Sequence, residues 1–285
     1  MTTMQDLATP DMPNWCPGCG NMPLWLAFKN AAVKQDWNNS NTTIVAGMGC
    51  HGHLINFTKL TSFEGLHGRA LPAATGIKIA NTSLNVFVFT GDGDCFGEGG
   101  NHFLHACRRN HNLNVILHDN GLYALTTGQT SPVTAHEIKT KSTPFGNPDE
   151  QINPLQLAIA AGATFVARAY ATNMPLLTEL IIKAQAHKGF SFIDVLQPCE
   201  TYNKQLTHQF YQENTYVLED TYDPTNKIGA MERAQEFGLK HIPLGIFYQV
   251  EKPCYEDQLE YLADKPLIFH GTDKRDMRDL YLKYI

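Results

Sequence analysis

Asn85-Val86-Phe87-Val88-Phe89-Thr90-Gly91-Asp92-Gly93-Asp94 is the stretch on which the fold turns. Its first half is an unbroken run of β-branched and aromatic residues, which reads as a strand covered on both faces, the habit of a parallel sheet. Its second half ends that strand with glycines, which let the backbone turn tightly and bring its N–H groups close to an anion. Other short apolar runs follow the same plan. Thr42–Ala46 leads into Gly47-Met48-Gly49-Cys50, and residues 113–117 lead into His118-Asp119-Asn120-Gly121; 164–167 and 190–196 are two more. Helical patterns alternate with them at 71–81, 99–109, Pro154–Ala161 and 175–187. The second places Phe103, Leu104 and Cys107 on one stripe, and the last turns Leu176, Leu177, Leu180 and Ile181 inward. This alternation predicts a doubly wound, mostly parallel α/β sheet.

Ligands of open α/β sheets sit beyond the carboxyl ends of the strands. Cys50, Asp92, Asn120 and Cys199 all fall at or just past such ends, so thiolates and a carboxylate are expected on one rim. Residues 1–208 read as a single α/β domain preceded by a cysteine-bearing loop. Beyond about Gln209, Pro224, Pro243, Pro253 and acidic pairs break the alternation, although Ile242–Gln249 offers one more strand. Residues 209–285 are therefore expected to form an extended arm over the main domain or a partner subunit.

The composition narrows the function. The 285 residues carry 22 Lys and Arg against 28 Asp and Glu, a formal charge of −6, which argues against a nucleic-acid partner. No window approaches the roughly 20 apolar residues that span a bilayer, and residues 1–11 lack the pattern of a secretory signal. A cytoplasmic metabolic enzyme is expected. Seven cysteines, an odd number, disfavour a disulfide scaffold and favour metal or redox use. Cys107 and Cys254 read as buried small apolar side chains.

Two motifs carry chemistry. A carboxylate such as Asp92 repels a diphosphate unless a divalent ion bridges the two, and Mg²⁺ asks for hard oxygen ligands. Asp92 offers one, the Asn120 amide a second and the Leu122 carbonyl a third; Asp94 reads as a support for the loop. Cys16-Pro17-Gly18-Cys19 lets two thiolates face one metal centre, a spacing shared by zinc sites, iron–sulfur sites and thioredoxin-like dithiols. Cys50 and Cys199 are the best candidates to complete a four-cysteine site, with Cys95 as their competitor.

Taken together these residues resemble the β subunit of the 2-oxoacid:ferredoxin oxidoreductases. The resemblance runs from about Trp15 to Asn203 through Trp15-Cys16-Pro17-Gly18-Cys19-Gly20, Gly47-Met48-Gly49-Cys50 and the 67–76 segment His67-Gly68-Arg69-Ala70-Leu71-Pro72-Ala73-Ala74-Thr75-Gly76. It continues through Gly91-Asp92-Gly93-Asp94, Asp119-Asn120-Gly121-Leu122-Tyr123-Ala124-Leu125-Thr126-Thr127-Gly128-Gln129 and Gln197-Pro198-Cys199. It implies a [4Fe–4S] cluster on Cys16, Cys19, Cys50 and Cys199, and thiamine diphosphate with Mg²⁺ on Asp92, Asn120 and Leu122. It further implies cofactor contacts from Gly49, Cys50, His51, His67, Gly68, Gly91, Asp92, Gly93, Asp94, Asn120, Leu122, Leu125 and Thr126, with His67 and His53 as catalytic candidates. Coenzyme A as co-substrate, ferredoxin as electron acceptor and a larger α subunit as partner belong to the same implication. Activation of thiamine needs a glutamate, which the family places on the partner, so the chain alone is expected to be inactive. His51-Gly52-His53 departs from relatives that carry Arg or Lys nearby. The 67–81 stretch is similar to the 2-oxoglutarate branch, favouring that acid over pyruvate. Two other readings stand beside this one: a thiamine-dependent decarboxylase with structural zinc, and a non-catalytic electron-transfer subunit.

Overall fold

The computed structural model describes residues 1–237, 241–263, 265–271 and 277–285. Its elements run α1 (Asn21–Lys34), β1 (Thr42–Ala46), β2 (Thr61–Glu64), α2 (Ala70–Ala80), β3 (Asn85–Gly91), α3 (Gly100–Arg109) and β4 (Asn114–Asp119). After the short strands β5 (Leu122–Tyr123) and β6 (Gln129–Thr130) come α4 (Pro154–Ala161), β7 (Phe165–Tyr170), α5 (Met174–Ala186) and β8 (Ser191–Leu196). They are followed by α6 (His208–Asn214), β9 (Thr215–Val217), α7 (Lys227–Arg233) and β10 (Ile242–Gln249). Eight of these strands form one sheet in the order β2-β1-β3-β4-β8-β7-β10-β9, parallel except where β10 runs against β7.

Strand alternation builds two apolar layers. Val86 and Val88 of β3 face a core with Leu71 and Ala74 of α2, Phe103 and Cys107 of α3, and Leu155 and Ile159 of α4. Phe87 and Phe89 turn to the opposite core, where Phe28 of α1 meets both rings edge-on at 5.2 and 5.0 Å, with Leu177, Leu180 and Ile181 of α5 alongside. After β1 the chain leaves toward the second face, sending Leu54 into that core; after β3 it leaves toward the first, through Phe96 and Phe103. Neighbouring strands whose continuations diverge open a crevice between them, and this one opens on the Gly47–Cys50 and Gly91–Asp94 turns.

Several expectations are corrected in detail. The strand expected at 113–117 extends to Asp119. Leu104 is 41% exposed, because its position on α3 lies about 100° around the helix from the buried Phe103. Leu176 is half-buried at the margin of its layer. Beside the short β5, β6, α6, β9 and α7, two further elements, α1 and β2, have no counterpart in the sequence reading. α1 follows Gly20 with no side-chain cap and no acidic residue in its first turn, and β2 is an edge strand with all four residues exposed. The strand offered by Ile242–Gln249 forms with those bounds as β10, which pairs with β7 and with β9, so this part of residues 209–285 completes the sheet in place of an extended arm. Among the described residues no helix is long and apolar enough to cross a membrane.

One ion pair lies wholly inside. Arg168 of β7 and Asp194 of β8 stand opposite each other in register, with Nε donating to Oδ2 at 2.9 Å and both residues 0% exposed. The Arg168 guanidinium sits 4.7 Å over the ring of Phe237 and 5.5 Å from that of Phe247. Breaking such a pair from one side leaves an uncompensated buried charge. Arg168→Met is expected to lower stability by about 3–5 kcal/mol, and Arg168→Met with Asp194→Leu to regain most of it. Urea unfolding of the single and double variants measures both.

Candidate functional site

The crevice holds a cavity lined by the ends of β1, β3 and β4. Of the residues expected to contact a cofactor, Gly49, Cys50, His51, His67, Gly91, Asp92, Gly93, Asp94, Asn120, Leu122, Leu125 and Thr126 all line it. Gly68 does not; its N–H donates to Asp94 Oδ1 at 2.7 Å and so ties the loop. Met48, Tyr123, Ala124 and Gln197 line the cavity too, without having been singled out. Tyr123 had no local signal: a Cβ on Gly93 would stand 2.3 Å from its ring, and it is the fold that sets this glycine against that side chain.

Asp94 organises the turns. Its Oδ1 accepts from Gly68 N at 2.7 Å and Met48 N at 3.2 Å and meets His67 Nδ1 at 2.7 Å, while its Oδ2 accepts from Thr90 Oγ1 at 2.6 Å. A Cβ on Gly47 would lie 1.8 Å from Oδ2, which is why the loop after β1 needs glycine there. With both oxygens taken up, Asp94 holds three segments together.

Asp92 is built differently. It is 1% exposed, accepts from Ser131 Oγ at 2.5 Å, and burial pushes its carboxyl up to about 7. Asn120 accepts from Leu122 N at 3.0 Å through Oδ1, and its carbonyl accepts from Asn203 Nδ2 at 3.0 Å. An amide oxygen has two lone pairs, so Oδ1 keeps one for a cation. Among the described residues that line the cavity none is Lys or Arg. A diphosphate here would rest on backbone N–H groups and on a divalent ion that also offsets the cost of the buried Asp92 carboxylate. Oxygen donors on adjoining strand ends suit magnesium.

Beside it lies a second cavity, lined by Cys16, Cys19, Cys50 and Cys199 together. Trp15 fixes the N-terminal loop by donating from Nε1 to the Cys50 carbonyl at 2.7 Å, with Phe57 edge-on at 5.1 Å. Gly20 N donates to the Pro198 carbonyl at 3.0 Å, joining that loop to the turn after β8. Burial, reinforced by the neighbouring thiols, pushes Cys19 up to about 11 and Cys50 up to about 12; burial also raises Cys199. Thiols that resist ionisation in a shared cavity need metal charge to become ligands. Among the described residues, no three His, Cys, Asp or Glu side chains gather closely enough for one ion. Four thiols lining one cavity are the donor type that an iron–sulfur cluster takes. Cys95 is excluded from this cavity; it is 2% exposed in the core against α3, because the turn after Asp92 carries it inward. Cys107 and Cys254 are buried, at 0% and 1% exposed. His53 lines the cysteine cavity and is not brought together with His67.

The two cavities share Cys50, Asn120, Ala124, Leu125 and Gln197, so they are neighbours with a common wall. Behind it lies a buried polar group: His118 Nδ1 meets Asn21 Oδ1 at 2.7 Å, and the ring of His51 stands 5.5 Å from that of His118. Burial lowers His51 to about 4 and His118 well below the usual imidazole range.

Comparison with known proteins accords with this geometry. Residues 47–195 match the family model for the C-terminal TPP binding domain of thiamine pyrophosphate enzymes, and residues 199–264 match the model for the C-terminal part of the pyruvate ferredoxin oxidoreductase beta subunit. A 2-oxoacid:ferredoxin oxidoreductase subunit beta from Sulfolobus sp is 44% identical over 94% of this chain and 92% of its own length. A 2-oxoglutarate synthase subunit KorB from Archaeoglobus fulgidus is 42% identical over 80% and 87%. Among solved structures, the 2-oxoglutarate:ferredoxin oxidoreductase from Magnetococcus marinus, with 2-oxoglutarate, coenzyme A and succinyl-CoA bound, superposes with a TM-score of 0.91. It shares 32% identity with this chain, covering 100% of it and 96% of the other.

Two outcomes follow from the geometry. Gly47→Ala drives a methyl group into the Asp94 carboxylate and is expected to cost about 1–3 kcal/mol, read by thermal unfolding. His51 and His118 are neutral in the fold but bind protons once released, so their contribution is intact above about pH 6.5. It is lost as pH falls toward 4. The melting temperature should drop across that window, and drop less steeply in His51→Gln with His118→Gln; equal slopes would refute the assignment.

Proposed function

The chain belongs to the β-subunit family of the 2-oxoacid:ferredoxin oxidoreductases, and from that premise we propose that it carries the cofactor-binding half of a 2-oxoglutarate-oxidising complex. The reaction is oxidative decarboxylation of the 2-oxoacid with coenzyme A, giving the acyl-CoA and CO₂ and two electrons for ferredoxin. Similarity to 2-oxoglutarate synthase subunits and to a structure holding 2-oxoglutarate and coenzyme A supports this acid over pyruvate. The single observation that carries the reading is the shared wall between a cavity floored by Asp92 and Asn120 and a cavity ringed by four cysteines.

Asp92, the Asn120 amide and the Leu122 carbonyl hold Mg²⁺, and the N–H groups of the Gly91–Asp94 turn hold the diphosphate. Thiamine diphosphate, when bound, supplies the nucleophilic carbon and electron sink that decarboxylation of a 2-oxoacid requires. Cys16, Cys19, Cys50 and Cys199 hold a [4Fe–4S] cluster, which takes electrons singly. Asp94 keeps the turns in register, and His67, 40% exposed and held by Asp94, presents its ring to the cavity as the catalytic candidate. His53 faces the cysteine side. The site is completed by the α partner, which brings the glutamate that activates thiamine. Seven free cysteines suit a reducing cytoplasm.

Purified with its α partner, the complex is expected to be brown, to hold about four irons per β chain, and to reduce a low-potential acceptor with 2-oxoglutarate faster than with pyruvate. Zinc in place of iron overturns the reading. Asp92→Asn should weaken Mg²⁺–thiamine diphosphate binding at least tenfold, as read by calorimetry, with iron content intact. Cys199→Ser should lose the iron; full retention there sinks the ligand assignment.

A further inference from the structure

Of the residues that both cavities share, Gln197 carries a polar side chain to which neither motif gives a role. It is 2% exposed, directly after β8. Its backbone N–H donates to the Asp119 carbonyl at 2.7 Å, fixing it beside the Asn120 turn. Its side-chain Nε2 donates to Cys19 Sγ at 3.5 Å. The stem between these anchors lies directly against the N-terminal loop, and only glycine at position 20 leaves room for it, since a Cβ there would stand 2.7 Å from Gln197 Cγ. The donor is thus aimed by a backbone bond on one side and by a close glycine on the other. Cys199 is faced by backbone N–H groups of its own turn, from Thr201, Tyr202 and Asn203, and Cys19 by that of Asn21, to which Gln197 adds a side-chain donor.

A hydrogen bond to a cluster thiolate favours the more negative, reduced state and raises the reduction potential. We infer that Gln197 is a positioning residue that sets the cluster's potential through its N–H···S bond to Cys19, and so sets how readily electrons cross the shared wall. The inference rests on the reading of the four cysteines as cluster ligands. The step it tunes is one-electron reduction: the cluster gains one electron from the reaction in the neighbouring cavity, no bond to Gln197 forms or breaks, and the amide proton stays on nitrogen.

The test is a redox titration of the assembled αβ complex monitored by electron paramagnetic resonance. Gln197→Met keeps the bulk of the side chain and removes the donor. It is expected to lower the midpoint potential, shifting the oxidised-to-reduced ratio at fixed poise severalfold, up to the tenfold that corresponds to about 59 mV for one electron. Gly20→Ala, which displaces the Gln197 stem, should move the potential in the same direction. In the wild-type complex, glutamine labelled with ¹⁵N at the amide should give a nitrogen coupling to the reduced cluster in pulsed spectra. A cluster present with unchanged potential in both variants, or wild-type spectra without that coupling, overturns the inference. A change in KM for the 2-oxoacid with the potential unmoved overturns it as well, making Gln197 a substrate contact. Absence of any cluster signal in the wild type overturns instead the reading on which it rests.

Discussion

The buried carboxylate of Asp94 is the contact on which the site depends. It gathers the loop after β1, the segment before α2 and the strand that precedes it, through Met48, Gly68, His67 and Thr90. None of these segments has a reason to converge without it. An ionised group removed from water is tolerated only when several donors take over its hydration, and here the donors come from sequence positions as far apart as 48 and 90. The same satisfaction that makes the carboxylate tolerable makes the crevice rigid. Asp92, two residues earlier, has only Ser131 as its side-chain partner among the described residues, and its cost of burial is left to be offset by whatever binds. One turn therefore contains a carboxylate committed to structure and another held in reserve for a ligand.

The site is also set apart by its lack of fixed cations. With no Lys or Arg among the described residues of the cavity wall, an anion bound there would rest on backbone N–H groups and on an ion that arrives with it. The cysteine cavity follows a parallel logic: its thiols are held up by burial and by one another until metal charge is supplied. Both halves are preorganised in position and incomplete in charge. Their common wall of Cys50, Asn120, Leu125 and Gln197 places the two deficits side by side.

Much of this was legible in the sequence because the strands are buried on both faces and end abruptly. The Val86–Phe89 alternation distributes its side chains to two layers, and the glycines after it mark the turn without ambiguity. Cys50, Cys199, Asp92 and Asn120 could be placed on one rim from strand ends alone, whereas Cys16 and Cys19 joined them only through the spacing of their loop motif. What escaped had no local signature. α1 starts without a cap, β2 has no buried face, and Gln197 and Tyr123 acquire meaning only through neighbours from distant segments. Beyond 208 the strand at Ile242–Gln249 was legible, but the prolines and acidic pairs around it suggest a loop and gave no sign of its pairing with β7. Leu104 was misassigned because a short apolar pair on a helix does not say which member faces in.

The separation of the cysteines along the chain gives the protein a history as well as a shape. Cys16 and Cys19 leave the ribosome about 180 residues ahead of Cys199, an interval of about 10–40 s at ordinary rates of synthesis. The sheet that unites them grows from parallel pairings, each needing a long crossover, which form late and slowly. During that interval the first two thiols wait without the strand that will face them and without Gln197. On the proposed reading the four-cysteine centre is completed only once β8 has been made, so machinery that loads it must act on a chain that already carries six of the eight strands of the sheet.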